Sequence, residues 1–437
     1  MGVLEDKGAQ IEEHARLAAG RAGAPFLTKL REEALARFRE TGWPKPRDED
    51  WIYTNVGPIV RSEFRPAPAP AGNVDLGDLA TGPIAGEGAA CRLVFVDGRF
   101  DAKRSALGAG DAIIAPLSSV LAEDPARLEA HLGRLVDAER QNAFAAMNTA
   151  FFADGAYVGV PDGVTIDAPI HVVHVATGGG EPTIVHPRTL IAIGRGARAT
   201  VVEAYVGNGR YLTNAVAETF VDDGGRLESI VVENESAAAY HFASRQIAIG
   251  RGVRSAERHF SFGAAVVRGD FGLRTDGGQS EGTLGGLYLA DGERHVDFHT
   301  TIDHAVPEAV THELFKGVLG GKSSAAFRGR IIVREDAQKT DAFQTNRHLL
   351  LSRHASANSR PQLEIYADDV KCSHGATVGE LDDEALFYFR SRGIPRREAH
   401  ALLTYAFAGE LVEPIEDQAL HDALAALVHK LMPADSV

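Results

Sequence analysis

Cysteine is nearly absent. Cys91 and Cys372 are the only two in 437 residues, too few for a disulfide framework and suited to a reducing compartment. Basic excess is absent as well: 45 Lys and Arg stand against 60 Asp and Glu, a net charge of −15. Nucleic-acid binding needs clustered cations, so that class is set aside. No apolar run approaches the roughly 20 residues that span a bilayer. Glu5, Asp6, Glu12 and Glu13 stand where a secretion signal would carry positive charge and then an apolar stretch. Asp6 also replaces the hydroxyl residue of a myristoylation signal. A cytoplasmic protein with no membrane and no nucleic-acid partner is expected.

What the chain does contain is a repeated phrase. Ile191–Gly196 and Ile247–Gly252 are both IAIGRG. Gly196, Gly224 and Gly252 lie 28 residues apart and then 28 again, and each opens Gly-x-Arg, with Arg198, Arg226 and Arg254 in the same phase. The surrounding runs are rich in Ile, Val and Thr and broken by Gly, Asp and Asn, which are strand and turn signals. A fixed period of β-branched segments predicts a coil of short strands stacked turn on turn, with Gly at a corner that needs positive φ. Antiparallel hairpins in a sandwich are the simpler alternative. The phase slips after Gly252, reaching Gly278 instead of position 280.

Helical texture flanks this core. Leu27, Leu30, Ala34 and Phe38 recur at helical spacing, and Gly42, Pro44 and Pro46 end that helix. The sequence divides into an N-terminal helical region (1–64), a Pro/Ala/Gly-rich linker (65–90), a mixed α/β lead-in (91–150), a β-helix core (151–379) and a C-terminal helical module (380–437). In that module Asp382 is a candidate N-cap, Gly393 a C-cap, and Leu420, Leu424, Leu427, Val428 and Leu431 share one face. That face either buries on the solenoid or receives a partner.

Three motifs invite chemistry. Gly317–Ser323, GVLGGKS, falls one residue short of a phosphate-binding loop and is followed by strand texture, so ATP binding is not expected. His295 and His299, four apart on a predicted strand, lie about 13 Å from each other, too far for one metal. With His304 and His312 they read as stacked or solvated strand histidines. Cys372 and His374 in DDVKCSHGATVG share one strand face about 7 Å apart at Cα, a thiolate and an imidazole able to meet at one metal. They are two donors only. Structural zinc takes four ligands and common clusters four thiolates, so further ligands must come from another chain or from solvent.

Lys339–Ile394, KTDAFQTNRHLLLSRHASANSRPQLEIYADDVKCSHGATVGELDDEALFYFRSRGI, resembles the C-terminal segment of the SufB/SufD family of iron–sulfur cluster assembly proteins. Asp48–Asn55, DEDWIYTN, is similar to the N-terminal signature of its SufD branch, and LIAIGRGARATVVEAYVG resembles a family rung. The resemblance implies a right-handed parallel β-helix flanked by α-helical regions. It also implies a non-catalytic scaffold that pairs with SufB through the β-helices and receives the SufC ATPase on its C-terminal helices. Thr345 stands where the SufB branch has a cysteine, and Ser373 and Gly375 where it flanks the histidine with glutamates. His374, with Cys372 second, is therefore the expected donor to a transient iron or nascent iron–sulfur cluster shared across the junction. Two other readings remain: an adaptor that recruits the ATPase without a ligand role, and a carbohydrate-active enzyme on a β-helix. The latter wants grouped carboxylates that the repeats do not supply. An uncovered solenoid end predicts self-association of the isolated chain, as a homodimer for example.

Overall fold

In a computed structural model, residues 23–62, 64–68, 81–108, 110–136, 142–178 and 181–432 are described. From Arg188 to Gly379 successive strands alternate between two sheets, and each pairs in parallel with the next strand but one. Arg198–Gly207 pairs with Arg226–Asn234, and that strand with Arg254–Ser261. This is the parallel β-helix the repeat predicted, with helices at both ends of the chain.

The corner glycines have φ of 64° at Gly196, 70° at Gly224 and 64° at Gly252. Stacking sets this conformation. The Gly196 N–H donates to Asp223 O at 2.9 Å, and the Gly224 N–H to Arg251 O at 2.7 Å. The slip has a plain cause: Arg254 pairs with Glu281, so the next coil is one residue shorter and its corner falls on Gln279 (φ 59°), not Gly278. Glu308 and Lys339 continue the left-handed column at φ 62° and 61°. Non-glycine residues there carry strain of about 1 kcal/mol. Lys339 is exposed, and its N–H bonds Asp369 O. Lys339→Gly should therefore raise stability by up to about 1 kcal/mol in urea denaturation.

The two ends of the coil differ. At the start, Arg99–Phe100 pairs antiparallel with Cys91–Val96 and Ile113–Pro116 antiparallel with Ala156–Val160, closing both sheets. At the finish, Ser356–Ile365 and Lys371–Gly379 are the last strands, and each pairs on one side only among the described residues.

Helix Pro25–Thr41 buries Leu27, Ala34 and Phe38 of the predicted stripe, and Leu30 is half-buried. Helix Ala143–Phe151, capped by the Asn142 side chain, packs Phe144 against Phe242 on the sheet. Of the linker, Arg65–Pro66 forms a short strand beside Thr183–Ile184, while residues 69–80 lie outside the described residues. The DEDWIYTN segment is a strap across the late coils. Trp51 stacks on Phe144 and lies under the Arg268 guanidinium, Arg328 bonds Asp50 and Glu49, and Thr54 donates to Asp297.

Helices Arg396–Gly409 and Gln418–Leu431 bury their apolar face on the solenoid, where Leu424 and Val428 join Val202, Ile230 and Phe260. A buried lysine fastens them: Lys316 Nζ donates to Phe407 O at 2.7 Å and to the Glu410 carboxylate. Helix Asp383–Ser391, with Asp382 as N-cap, leaves Phe387 71% and Tyr388 59% exposed.

Candidate functional site

Strand Lys371–Gly379 is the last strand of its sheet, paired with Asp341–Leu350. Cys372 stands opposite Ala342 and His374 opposite Gln344. In the covered strand Ala342, Gln344, Asn346 and His348 are buried and Phe343 and Arg347 exposed. Parallel register carries this alternation upward, so Cys372 and His374 share the face that continues the coil interior. No later coil covers it among the described residues, and His374 is exposed. Cys372 is half-buried against the aliphatic spine beside Leu363 and Val370. Burial pushes its thiol up, with the Ala342 backbone bond opposing, so at neutral pH it holds its proton. Among the described residues no three His, Cys, Asp or Glu side chains are grouped to hold a metal. What the edge offers is an imidazole, a protonated thiol and room for ligands from elsewhere.

The other motifs lie apart from this edge. Gly317 is inside strand Val310–Leu319, and Ser323 Oγ donates to Gly320 O at 2.7 Å in the turn before strand Ser324–Val333. No helix follows, so GVLGGKS is a strand-to-strand corner. His295 is bonded to Ser324 and Thr54, His299 lies beside Asp297, His304 bonds Thr311, and His312 stacks on Phe343. The sequence reads all four as stacked or solvated: His312 stacks, whereas His295, His299 and His304 are held by polar partners and His304 is buried.

The sequence reading missed a charged interior. Arg245, Glu203 and Glu257 are all buried inside the coil. Arg245 donates to Glu203 at 2.7 Å and to Glu257 at 3.0 Å. Burial works against every one of these charges, yet the pairing wins. Glu257 is held down at about 2, Glu203 lies below its ordinary value and Arg245 above its own. Nearer the open end, burial raises Glu313 to about 7, and Gln344 bonds it at 2.7 Å. Gln344 and His374 continue Glu313's inward-facing column to the edge. The signal was polar residues at every second position, as in Ser255, Glu257, His259 and Ser261.

Comparison with known proteins bears on what this edge serves. The family described as "SUF system FeS cluster assembly, SufBD core domain" matches residues 174–407, and "SufBD protein N-terminal region" matches 11–172. The chain is 31% identical to the iron–sulfur cluster assembly protein SufD of Escherichia coli over 92% of both chains. It is 29% identical to a SufBD family protein of Synechocystis over 97% of this chain and 95% of that one. It is 27% identical to the chloroplastic protein ABCI7 of Arabidopsis thaliana over 93% and 86%. No helix among the described residues is long and apolar enough to cross a membrane. A parallel β-helix flanked by helices and matches along nearly the whole length agree: the chain belongs to the SufBD family of iron–sulfur cluster assembly proteins and is a homologue of SufD.

Proposed function

We propose that this chain is a non-catalytic scaffold subunit that pairs with SufB through the open end of its solenoid and holds nascent iron–sulfur clusters at the seam. The observation that carries the reading is the exposed terminal strand bearing His374 and Cys372, with no further ligand grouped beside them among the described residues. Iron and sulfide are cargo here. An incomplete donor set binds them weakly until the partner closes the coordination sphere, and releases them when the seam opens. The imidazole of His374 is the first donor, and the Cys372 sulfur becomes one only after losing its proton. Phe387 and Tyr388, left bare while the two following helices are covered, form the surface for the SufC ATPase. The setting is the cytoplasm.

A second reading is favoured by Cys372's contact with the aliphatic spine: an adaptor whose Cys372 and His374 are structural. Replacing His374 with Ala separates the two. In the assembled complex, cluster yield should fall about tenfold or more, because one ligand of few is lost. The loss should appear in the visible absorption of reconstituted cluster, with complex composition unchanged. Unchanged yield in an intact complex would establish the adaptor.

A further inference from the structure

The arginines that follow the corner glycines have no role in the scaffold reading. Arg198, Arg226 and Arg254 are consecutive partners in one parallel ladder. All three are exposed on the outer face of the coil. Adjacent ladder positions lie about 4.8 Å apart, and like charges directly opposite repel. A guanidinium cannot shed its charge to relieve this. Carboxylates serve only the two ends. Arg198 meets Glu416 at 2.9 Å and Arg254 meets Glu281 at 3.6 Å. The Arg226 guanidinium, in the middle, has no hydrogen-bond or ion-pair partner among the described residues. Glu228, the nearest carboxylate on its own strand, is taken by Arg258 at 2.6 Å.

The ladder borders a groove of about 330 Å³. Its floor includes Thr200, Glu228, Ala256 and Thr283, the outward positions next along the strands, with the Glu228 carboxylate held by Arg258, and its far wall is Pro414 and Glu416 of the C-terminal segment. That volume suits a small molecule, not a nucleic acid or a folded partner. Guanidinium forks bind phosphate and carboxylate oxygens through paired, charge-assisted hydrogen bonds. Glu416 on Arg198 already displays that chemistry from within the chain. A net charge of −15 gives anions no general attraction to this surface, so an anion held here is held by the ladder.

We propose that the groove beside Arg198, Arg226 and Arg254 binds a small linear oligoanion, a molecule carrying two or three linked phosphate or carboxylate groups, with Arg226 as its central contact. The ladder reads the spacing of the anionic groups, and the threonine hydroxyls of the floor supply further donors. This site is independent of the Cys372–His374 edge.

Isothermal titration calorimetry on the full chain, with inorganic tripolyphosphate, citrate and orthophosphate as probes, tests this. Saturable one-to-one binding is expected for tripolyphosphate or citrate, at least about tenfold tighter than for orthophosphate. The tighter of the two identifies phosphate or carboxylate as the natural chemistry. Arg226→Ala should weaken that binding at least about tenfold. Arg251→Ala, an equal change of charge at an exposed arginine outside the groove, should leave it within about twofold. Arg226 is exposed, so both variants should melt like the parent. The proposal fails if neither oligoanion saturates, if orthophosphate binds equally well, or if Arg226→Ala and Arg251→Ala weaken binding alike.

Discussion

Arg245→Ala should destabilise the protein by about 3–5 kcal/mol, enough to lower the soluble yield sharply. Arg245 is the single cation between two carboxylates that have no route to solvent. Its side chain is 3% exposed, and those of Glu203 and Glu257 are 0% and 4% exposed. Glu203 also accepts from Thr189 at 2.9 Å and from Tyr205 at 3.0 Å, but neutral donors alone do not hold a buried charge. Removing the guanidinium leaves two negative charges facing each other in a medium that screens them poorly. One carboxyl must then take up a proton, or the coil must open. A solenoid spreads this damage little, because each turn touches only its neighbours. The damaged turn is central, however, so its failure separates the two halves of the stack. Arg245→Lys keeps the charge but not the two-pronged reach, and should fall between parent and Ala. Adding Glu203→Gln and Glu257→Gln to Arg245→Met should recover much of the loss, since a neutral interior needs no counter-ion. Urea denaturation of the four proteins checks this order. Equal midpoints for parent and Arg245→Ala would show that the network contributes nothing.

That network also marks the limit of what the sequence discloses. The corner glycines and the β-branched runs were legible because stacking demands the same conformation at the same place in each turn. The terminal helices were legible because one side of each is apolar. The edge pair Cys372 and His374 could be placed on one face from strand period alone. The direction of that face could not be read. In Arg254–Ser261 the residues Ser255, Glu257, His259 and Ser261 point inward while Arg254 and Arg258 point outward. Both faces are polar, so the contrast that normally assigns a strand's inside is missing. The slip at Gly278 was visible as a break in phase, but the transfer of the corner to Gln279 depends on pairing between coils, which no local pattern encodes. The DEDWIYTN strap shows the same limit: Asp50 and Arg328 are far apart in sequence, and their ion pair exists only after the coil has formed.

Acid should weaken the fold steeply between pH 6.5 and about 4, and the cause is a set of neutral buried histidines. Burial holds His174, His304 and His348 at about 4. His304 and His348 have hydroxyl partners, Thr311 at 2.9 Å and Tyr288 at 2.5 Å, which do not favour an imidazolium. In the unfolded chain each takes its proton near 6.5. Within the window the unfolded state therefore binds more protons, so stability is full above 6.5 and drains as pH falls through 4. Each histidine contributes up to about 3 kcal/mol to that slope. Glu313 acts in the opposite sense. Its folded value of about 7 lies above the unfolded one, so its contribution is full at low pH and lost as pH rises through 7. Acidification thus regains about 3 kcal/mol from Glu313. His241, raised by Glu235 against the pull of burial, works in the same direction as Glu313. His171, His259 and His295, all lowered chiefly by burial, side with the first three. Asp154, Glu228 and Glu233, raised chiefly by burial, side with Glu313. Six depressed histidines thus stand against four raised carboxyls and one raised histidine; the three histidines held at about 4 set the sign against the one carboxyl held at about 7, and the balance is a net loss by pH 4.5. Urea midpoints measured at half-unit steps from pH 7.5 to 4.5 should trace it. His348→Gln should flatten the profile by removing one titration, and Glu313→Gln should steepen it by removing the opposing one. A flat parental profile would mean that the native interior admits protons at these histidines as readily as water does, which neutral imidazoles enclosed by hydroxyls and aromatic rings should not permit.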